Sequence, residues 1–387
     1  MIGVSGRVRV GVVALLASVT IAGCGTDGYQ PSGPFRPLPE GAPPQVGPPT
    51  SSAPQPGRPA EPGSEGEGGD PNVVASGLEV PTPLVLMADG TAVVGERDTG
   101  RLVQVFPDRS PPRELMTVPG LDTTGDGGLL GLAVSPTYAE DGLFYAYVTT
   151  PTDNRVVRFP LGGTPNPVFT GIPRGQVHNG GGLVFGVDGD LYVGTGDTGN
   201  PALAGAPGSL AGVVLRIDVF GQAVGGTDPV YTRGHRDVTA LCQGGDLSLF
   251  ATDEGSDGPD ELNQLVAGHD YRPGGKAPVA EILAEEGGLG GCAIGGDAES
   301  GIAFVGALDG ERVHVLPLGE QPEDGSTPEL PEELLGGQYG RLRTVVLDVE
   351  GALWITTSNR DGVGTPGEGD DKVLRILPPN SGQESPL

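Results

Sequence analysis

His178–Asp197 reads HNGGGLVFGVDGDLYVGTGD, and its second half is a compact strand signal. Val187-Asp188-Gly189-Asp190 makes a turn, Leu191-Tyr192-Val193 begins an alternating apolar run, and Gly194-Thr195-Gly196-Asp197 stops it. The first half sets one of only four histidines before three glycines, where backbone can approach a ligand closely. The same phrase recurs along the chain without the histidine. Repetition therefore points to the architecture, and the odd copy to a site.

Asp89-Gly90 leads into TAVVGERDTGRLVQVF, Asp141-Gly142 into LFYAYVTTPTDNRVVRF, and Gly245-Asp246 into LSLFATDEGSDGPDELNQL. Ser300-Gly301 leads into IAFVGALDGERVHVLPL, and Glu350-Gly351 into ALWITTSNRDG, closing at Lys372–Ile376. The Asp188-Gly189 copy closes at Gly212–Ile217. A spacing of about fifty residues is the period of a propeller blade. Each copy supplies two strands, so two more per blade must lie between copies, for example Gly131–Ser135 and Arg343–Asp348. One blade cannot bury both of its faces, and six stacked radially around a channel can. The fold expected is all-β, a six-bladed β-propeller of short four-stranded blades. A β-sandwich would not give this period. Glu332–Leu335 and Ala280–Glu286 are at best short turns of helix.

Composition agrees. With 70 Gly and 39 Pro in 387 residues and few aromatics, the chain suits many short strands joined by tight turns. A net charge of −28 argues against nucleic acid, whose binding requires phosphate neutralisation, and against docking on anionic lipid through a basic face. Acidic loops that keep the protein soluble account for it. No CxxC and no histidine pair at ligand spacing suggest zinc.

At the N-terminus, Arg7 and Arg9 precede an apolar run, Val10–Ile21, too short to span a bilayer. Ile21-Ala22-Gly23-Cys24 follows and resembles a bacterial lipobox. Residues 1–23 are then a lipoprotein signal peptide, and Cys24 the lipidated residue that anchors the protein to the cell membrane on its extracytoplasmic side. Residues 24–72, Pro-, Gly- and Ser-rich, read as a disordered tether, 73–380 as the propeller, and 381–387 as a disordered tail. With Cys24 lipidated outside the reducing cytosol, Cys242 and Cys292 are expected to form one disulfide, the alternative being two buried thiols.

Five landmarks occur in order: GLLGLAVSPTYAEDGLFYAYV (Gly128–Val148), the His178–Asp197 stretch, GHRD (Gly234–Asp237), DEGSDGPDELNQL (Asp253–Leu265) and GRLRTVVLDVEGALWITTSNRDG (Gly340–Gly362). Together they resemble the PQQ-dependent glucose/sorbosone dehydrogenase family of six-bladed propellers over essentially residues 75–377. Lipobox and tether bring the chain nearest to mycobacterial-type propeller lipoproteins within it. The resemblance implies oxidation of an aldose or related sugar by hydride transfer to PQQ. His178 would be the general base, suited to proton abstraction near neutral pH. Arg236 would contact the quinone oxygen with Asp237 beside it, and Arg341 and Arg343 would bind cofactor carboxylates. The backbone carbonyls of Gly255 and Ser256 would ligate Ca²⁺, which favours oxygen. A sugar is the expected partner, nucleic acid is not, and a monomer is the default for a closed ring.

Plainer roles compete. His178 could satisfy a turn, Arg341 and Arg343 share a strand face where arginines are usually solvated, and Arg236 could simply pair with Asp237. GxGxxG at Gly194–Gly199 precedes no helix pattern, so it does not signal a dinucleotide fold. Asp122–Asp126 is a faint calcium-loop echo. The chain also departs from the family. Asp309 stands where a cofactor-binding lysine is common, Ser256 replaces proline, and Asp237 replaces the asparagine of GHRN. Asp309 sets PQQ binding against a reversed charge. The alternative function is a non-catalytic propeller lipoprotein that binds a glycan or a cell-envelope protein.

Overall fold

The computed structural model describes residues 69–255, 258–319 and 332–377. The signal peptide, Cys24, nearly all of the tether, Ser256 and the 381–387 tail lie outside them.

The described strands form six four-stranded antiparallel sheets. The innermost strands, in blade order, are Pro81–Leu86, Leu129–Val134, Leu183–Phe185, Val238–Gln243, Leu289–Gly295 and Leu342–Leu347. The second strands are Ala92–Glu96, Leu143–Thr149, Leu191–Gly194, Leu249–Asp253, Ile302–Ala307 and Leu353–Thr357. Each quoted repeat is thus the second and third strand of a blade, and the innermost strands fall between repeats. Blade six takes its outer strand from the chain's beginning, Val73–Ala75, paired with Val373–Ile376. That pairing closes the ring.

Second strands are buried along their whole length, as in Ala92–Glu96 and Leu353–Thr357, because a neighbouring blade covers each face. Outer strands such as Asn166–Ile172 are largely exposed. Phe144 and Phe159 of blade two, with ring centroids 6.4 Å apart, pack on Val93 and Leu102 of blade one. The hydrophobic core is therefore a set of inter-blade layers.

A recurring device fixes the turns at one end of the ring. Gly189 (φ +82°) takes the left-handed position that glycine fills without strain, and Asp188 before it receives the Tyr192 hydroxyl at 2.9 Å and Arg216 at 2.8 Å. Asp348 likewise receives Trp354 Nε1 at 3.0 Å and Arg375 at 2.8 Å. The Arg-Ile endings of the repeats are third-strand arginines reaching back to a turn aspartate.

Two short segments differ from expectation. Glu333–Leu334 is the outer strand of blade five, and Ala280–Ile282 that of blade four, with only Ala284–Glu286 forming a 3₁₀ turn. Hydrogen bonds from the adjacent third strand override weak helical signals there. The helical turns are Tyr138–Asp141 and Pro201–Ala204. Cys242 and Cys292 are bridged, with Cα atoms 5.8 Å apart, tying the innermost strands of blades four and five.

Candidate active site

Antiparallel pairing puts the starts of the innermost strands and the ends of the second strands on one rim. His178 precedes the first strand of blade three, Arg236 and Asp237 that of blade four, and Arg341 that of blade six. Asp197, Glu254 and Asp309 follow the second strands of blades three, four and five. Rigid blades thus bring loops distant in sequence to one channel mouth. Arg343, on the first strand of blade six, lines the channel below it. All four sequence-predicted cationic and imidazole groups share this end.

His178 occupies the left-handed region at φ +54°. A non-glycine residue held there is strained, and such strain concentrates at functional sites. Bonds on every side hold it in place. The His178 N–H donates to Asp126 Oδ2 at 3.3 Å, and Thr198 N–H donates to its carbonyl at 3.1 Å. A Cβ at Gly196 would lie 1.9 Å from that carbonyl, so the glycines of Gly194–Gly199 seat the histidine loop. Tyr147 OH donates to the Asn179 carbonyl at 2.7 Å in a fully buried setting. Tyr147→Phe should cost about 1 kcal/mol in denaturant unfolding, because the buried Asn179 carbonyl loses the shorter of its two side-chain donors and keeps only Asn154 Nδ2 at 3.3 Å; an unchanged midpoint would show that this bond does not hold the loop.

The ring itself is poised. Nδ1 lies 2.7 Å from Asp197 Oδ1, and Asp197 also accepts the Gly199 N–H at 2.8 Å. With the proton on Nδ1, the lone pair is on Nε2, which has no partner among the described residues. The Asp197 hydrogen bond raises the His178 pKa above its ordinary value, against burial and with help from the Asp237 charge. This is an oriented, strengthened base.

Asp237 is buried, and its carboxylate accepts the Gly180 N–H at 2.7 Å. Burial, then the Glu254 charge, pushes its pKa well up. Arg236 Nε approaches Asp197 Oδ2 across the blades at 4.0 Å. Arg341 donates from Nε to Asp361 at 2.8 Å and from Nη1 to Asp309 at 2.5 Å. Asp309 thus neutralises an arginine as well as reversing a charge. Arg343 makes no hydrogen bond or ion pair among the described residues, and burial, then the Arg97 charge, holds its pKa below the ordinary arginine value.

Three groups were missed in the sequence: Asp197, Arg97 and Glu254. Burial foremost, with the Asp260 charge adding and Arg343 opposing, pushes Glu254 up to about 7. The available signal was an acid repeated at second-strand exits, Glu96, Asp197, Asp253 and Asp309. His235 of GHRD is structural: it is buried, contacts Asp253 (3.1 Å) and Thr232 (2.9 Å), and stacks on Tyr271. Gly255 donates its N–H to Asp260 at 2.7 Å. Among the described residues no three His, Cys, Asp or Glu side chains are grouped to hold a metal ion, so a calcium site would depend on carbonyl oxygens. Asp122 of the faint calcium loop is instead held by Thr124 and Arg174, which depress its pKa to about 2.

Residues 78–273 match the Glucose / Sorbosone dehydrogenase family model. The PQQ-bound aldose sugar dehydrogenase of Streptomyces coelicolor is 37% identical, with TM-score 0.72, over 79% of this chain and 96% of that one. A protein described as a putative oxidoreductase (glucose dehydrogenase) from Thermus thermophilus is 33% identical, with TM-score 0.69, over 79% and 98%. Quinoprotein glucose dehydrogenase B of Acinetobacter calcoaceticus is 25% identical over 252 residues, 54% of this chain and 53% of that protein. The chain therefore spans about half the length of the curated relatives it matches. Fold, landmark order and family model agree: the chain belongs to the glucose/sorbosone dehydrogenase family.

Proposed function

We propose that the protein is a quinoprotein-type oxidoreductase that oxidises an aldose or related sugar with His178 as base. The observation that supports it most is Nε2 of a strained, Asp197-oriented histidine sharing a channel mouth with Arg343, an arginine without an ion-pair partner among the described residues. A PQQ trianion fits that donor set, since a desolvated guanidinium without a partner is a standing site for a carboxylate. Arg343 would hold one carboxylate, and Arg236 would face the quinone edge. Arg341 contributes less, because Asp309 and Asp361 already occupy it. Carbonyls at Gly255 and Ser256 would take Ca²⁺. When bound, PQQ supplies the acceptor for the two-electron hydride from the sugar C1. His178 Nε2 removes the C1 hydroxyl proton, Asp197 keeps the ring in register, and the imidazolium formed is stabilised by the same carboxylate.

We place the protein outside the cytosol as a membrane-anchored lipoprotein and as a monomer. The disulfide supports that compartment. A second reading, a non-catalytic propeller that binds a glycan or an envelope protein, is favoured by the Asp309–Arg341 pair, which blunts one cofactor contact. Titration with PQQ in Ca²⁺, followed by calorimetry and visible absorption, separates the two. Micromolar binding that weakens at least about tenfold in Arg343→Gln is expected. Absence of binding at millimolar Ca²⁺ would remove the enzyme proposal in favour of the second.

A further inference from the structure

Below Arg343 the channel changes character. Its upper section is narrow, about 100 Å³, and is lined by Thr82, Thr239, Thr344 and glycines of the innermost strands. The lower section opens to about 450 Å³, inside the roughly 300–1,000 Å³ range of small-molecule sites. All six blades wall it, through residues 84–86, 132–134, 183–185, 241–243, 292–294 and 346–347 of their innermost strands. Gln243 is the single hydrogen-bonding side chain among these described residues. Val85, Val134, Val184 and Val346 stay half-buried, and Val187, Leu247 and Val349 are exposed in the turns just beyond. A contiguous apolar surface with a polar rim marks a binding site, whereas scattered apolar residues do not.

Shape and charge narrow the occupant. The chamber lies on the ring axis with a blade on every side, so a ligand enters end-on from the lower face, which suits a single elongated chain. Each turn joining a first to a second strand carries an aspartate: Asp89, Asp141, Asp188, Asp246, Asp297 and Asp348. The hydroxyls of Thr91, Ser248 and Ser300 hold Asp89, Asp246 and Asp297 below the ordinary carboxylate range, so these stay charged. Arg216 offsets Asp188 and Arg375 offsets Asp348. An anionic headgroup at this rim meets like charge, and an uncharged one does not. Gln243 supplies an amide for a hydroxyl. The tether joins the domain on this same face. Arg109, in the turn after the third strand of blade one (Arg101–Val105), donates to the Pro71 carbonyl. Arg375, whose side chain reaches the Asp348 turn, donates its N–H to the Asn72 carbonyl at 2.8 Å.

We propose that the lower channel binds one uncharged lipid chain with a terminal hydroxyl, its apolar length in the chamber and its hydroxyl at Gln243. Binding is non-covalent and separate from the sugar site. The membrane as the source of the chain rests on the anchoring proposed above; the binding does not. Cys242 and Cys292 both line the chamber, so a chain in place covers the bridge and shields it from an attacking thiolate.

The test uses the full chain with Cys24→Ser, which leaves no acyl chain of its own to compete. The uncharged dye N-phenyl-1-naphthylamine reports binding by fluorescence, and 1-hexanol, 1-octanol, 1-decanol and decanoate compete with it. The alcohols should gain roughly fourfold in affinity per added CH₂. Decanoate should bind at least about tenfold more weakly than decanol. A variant combining Val134→Thr, Val184→Thr and Val346→Thr keeps the β-branched shapes and should weaken decanol by about tenfold or more. Saturating decanol should slow reduction of the bridge by dithiothreitol in the wild-type chamber. An unchanged reduction rate would overturn the proposal whatever the dye reports, and so would equal decanol affinity in the folded triple variant. Decanoate that binds and protects as well as decanol would overturn the uncharged ligand. If the triple variant does not fold, bridge protection and the alcohol–decanoate comparison decide on their own. Sugar oxidation by His178 is left standing by any of these failures.

Discussion

His178→Asn lowers kcat/KM for the best sugar by roughly 10²–10⁴-fold, the usual contribution of a positioned general base, while leaving thermal unfolding near wild type. Asparagine is chosen because the backbone at this position is left-handed, at φ +54°. Asparagine tolerates that region nearly as well as histidine, whereas a β-branched residue would not. Its amide can still donate to Asp197, so the buried carboxylate keeps a partner. What disappears is the lone pair on Nε2. Activity within a factor of about ten of wild type would mean that His178 is not the base. The pH profile is a second readout. A base works only when neutral, so kcat/KM should rise with pH through the His178 pKa. Asp197 holds that pKa above its ordinary value, so Asp197→Asn should move the rising limb to lower pH as well as slowing the reaction. Glu254, pushed up to about 7, ionises in the same channel mouth, so the wild-type profile should carry a second ionisation beside that of His178.

Blade number and blade order were legible because second and third strands carry the signal. Second strands are buried on both faces and third strands over most of their length, with Asp-Gly or Glu-Gly turns ahead of them, as at Asp188-Gly189 and Glu350-Gly351, so they read as compact apolar runs. The innermost strand of blade five, Leu289–Gly295, carries Gly290 and Gly291 where the neighbouring backbone closes in. A Cβ at Gly290 would sit 2.1 Å from the Arg343 carbonyl, and such positions look like loop in a sequence. Ring closure by Val73–Ala75 was not legible at all. It depends on a contact between the two ends of the domain, which no local pattern encodes. The site divided the same way. His178, Arg236, Arg341 and Arg343 stand out through landmarks, and the structure places the first three at one mouth with Arg343 in the channel below it. Their partners were not found, because pairing across blades decides them: Arg236 meets Asp197 from blade three, and Arg341 meets Asp309 from blade five. Asp197 reads in the sequence as a strand stop and is also the group that orients the base.

Removing the bridge by Cys242→Ala together with Cys292→Ala should destabilise the domain by up to about 4 kcal/mol. The bridge spans 50 residues of sequence, and cross-linking that loop restricts the unfolded chain by about this much. The native ring already holds the two innermost strands side by side, with Cys242 and Cys292 packed among Phe250, Leu262, Ile294 and Val305. Alanine at both sites leaves this layer slightly underfilled without changing its polarity, so the loss should come chiefly from the unfolded state. Thermal unfolding of the double variant should fall by up to roughly 6 °C, and reductant should lower wild type to nearly the same temperature while leaving the variant unmoved. A variant that melts with wild type would show that blade packing alone fixes this seam. Sugar and cofactor binding should survive at moderate temperature, since the bridge joins mid-channel strands and the rim groups hang on separate loops. If binding collapsed while the fold persisted, blades four and five would have to be positioning Arg236 and Glu254 through the bridge, making it part of the site's geometry.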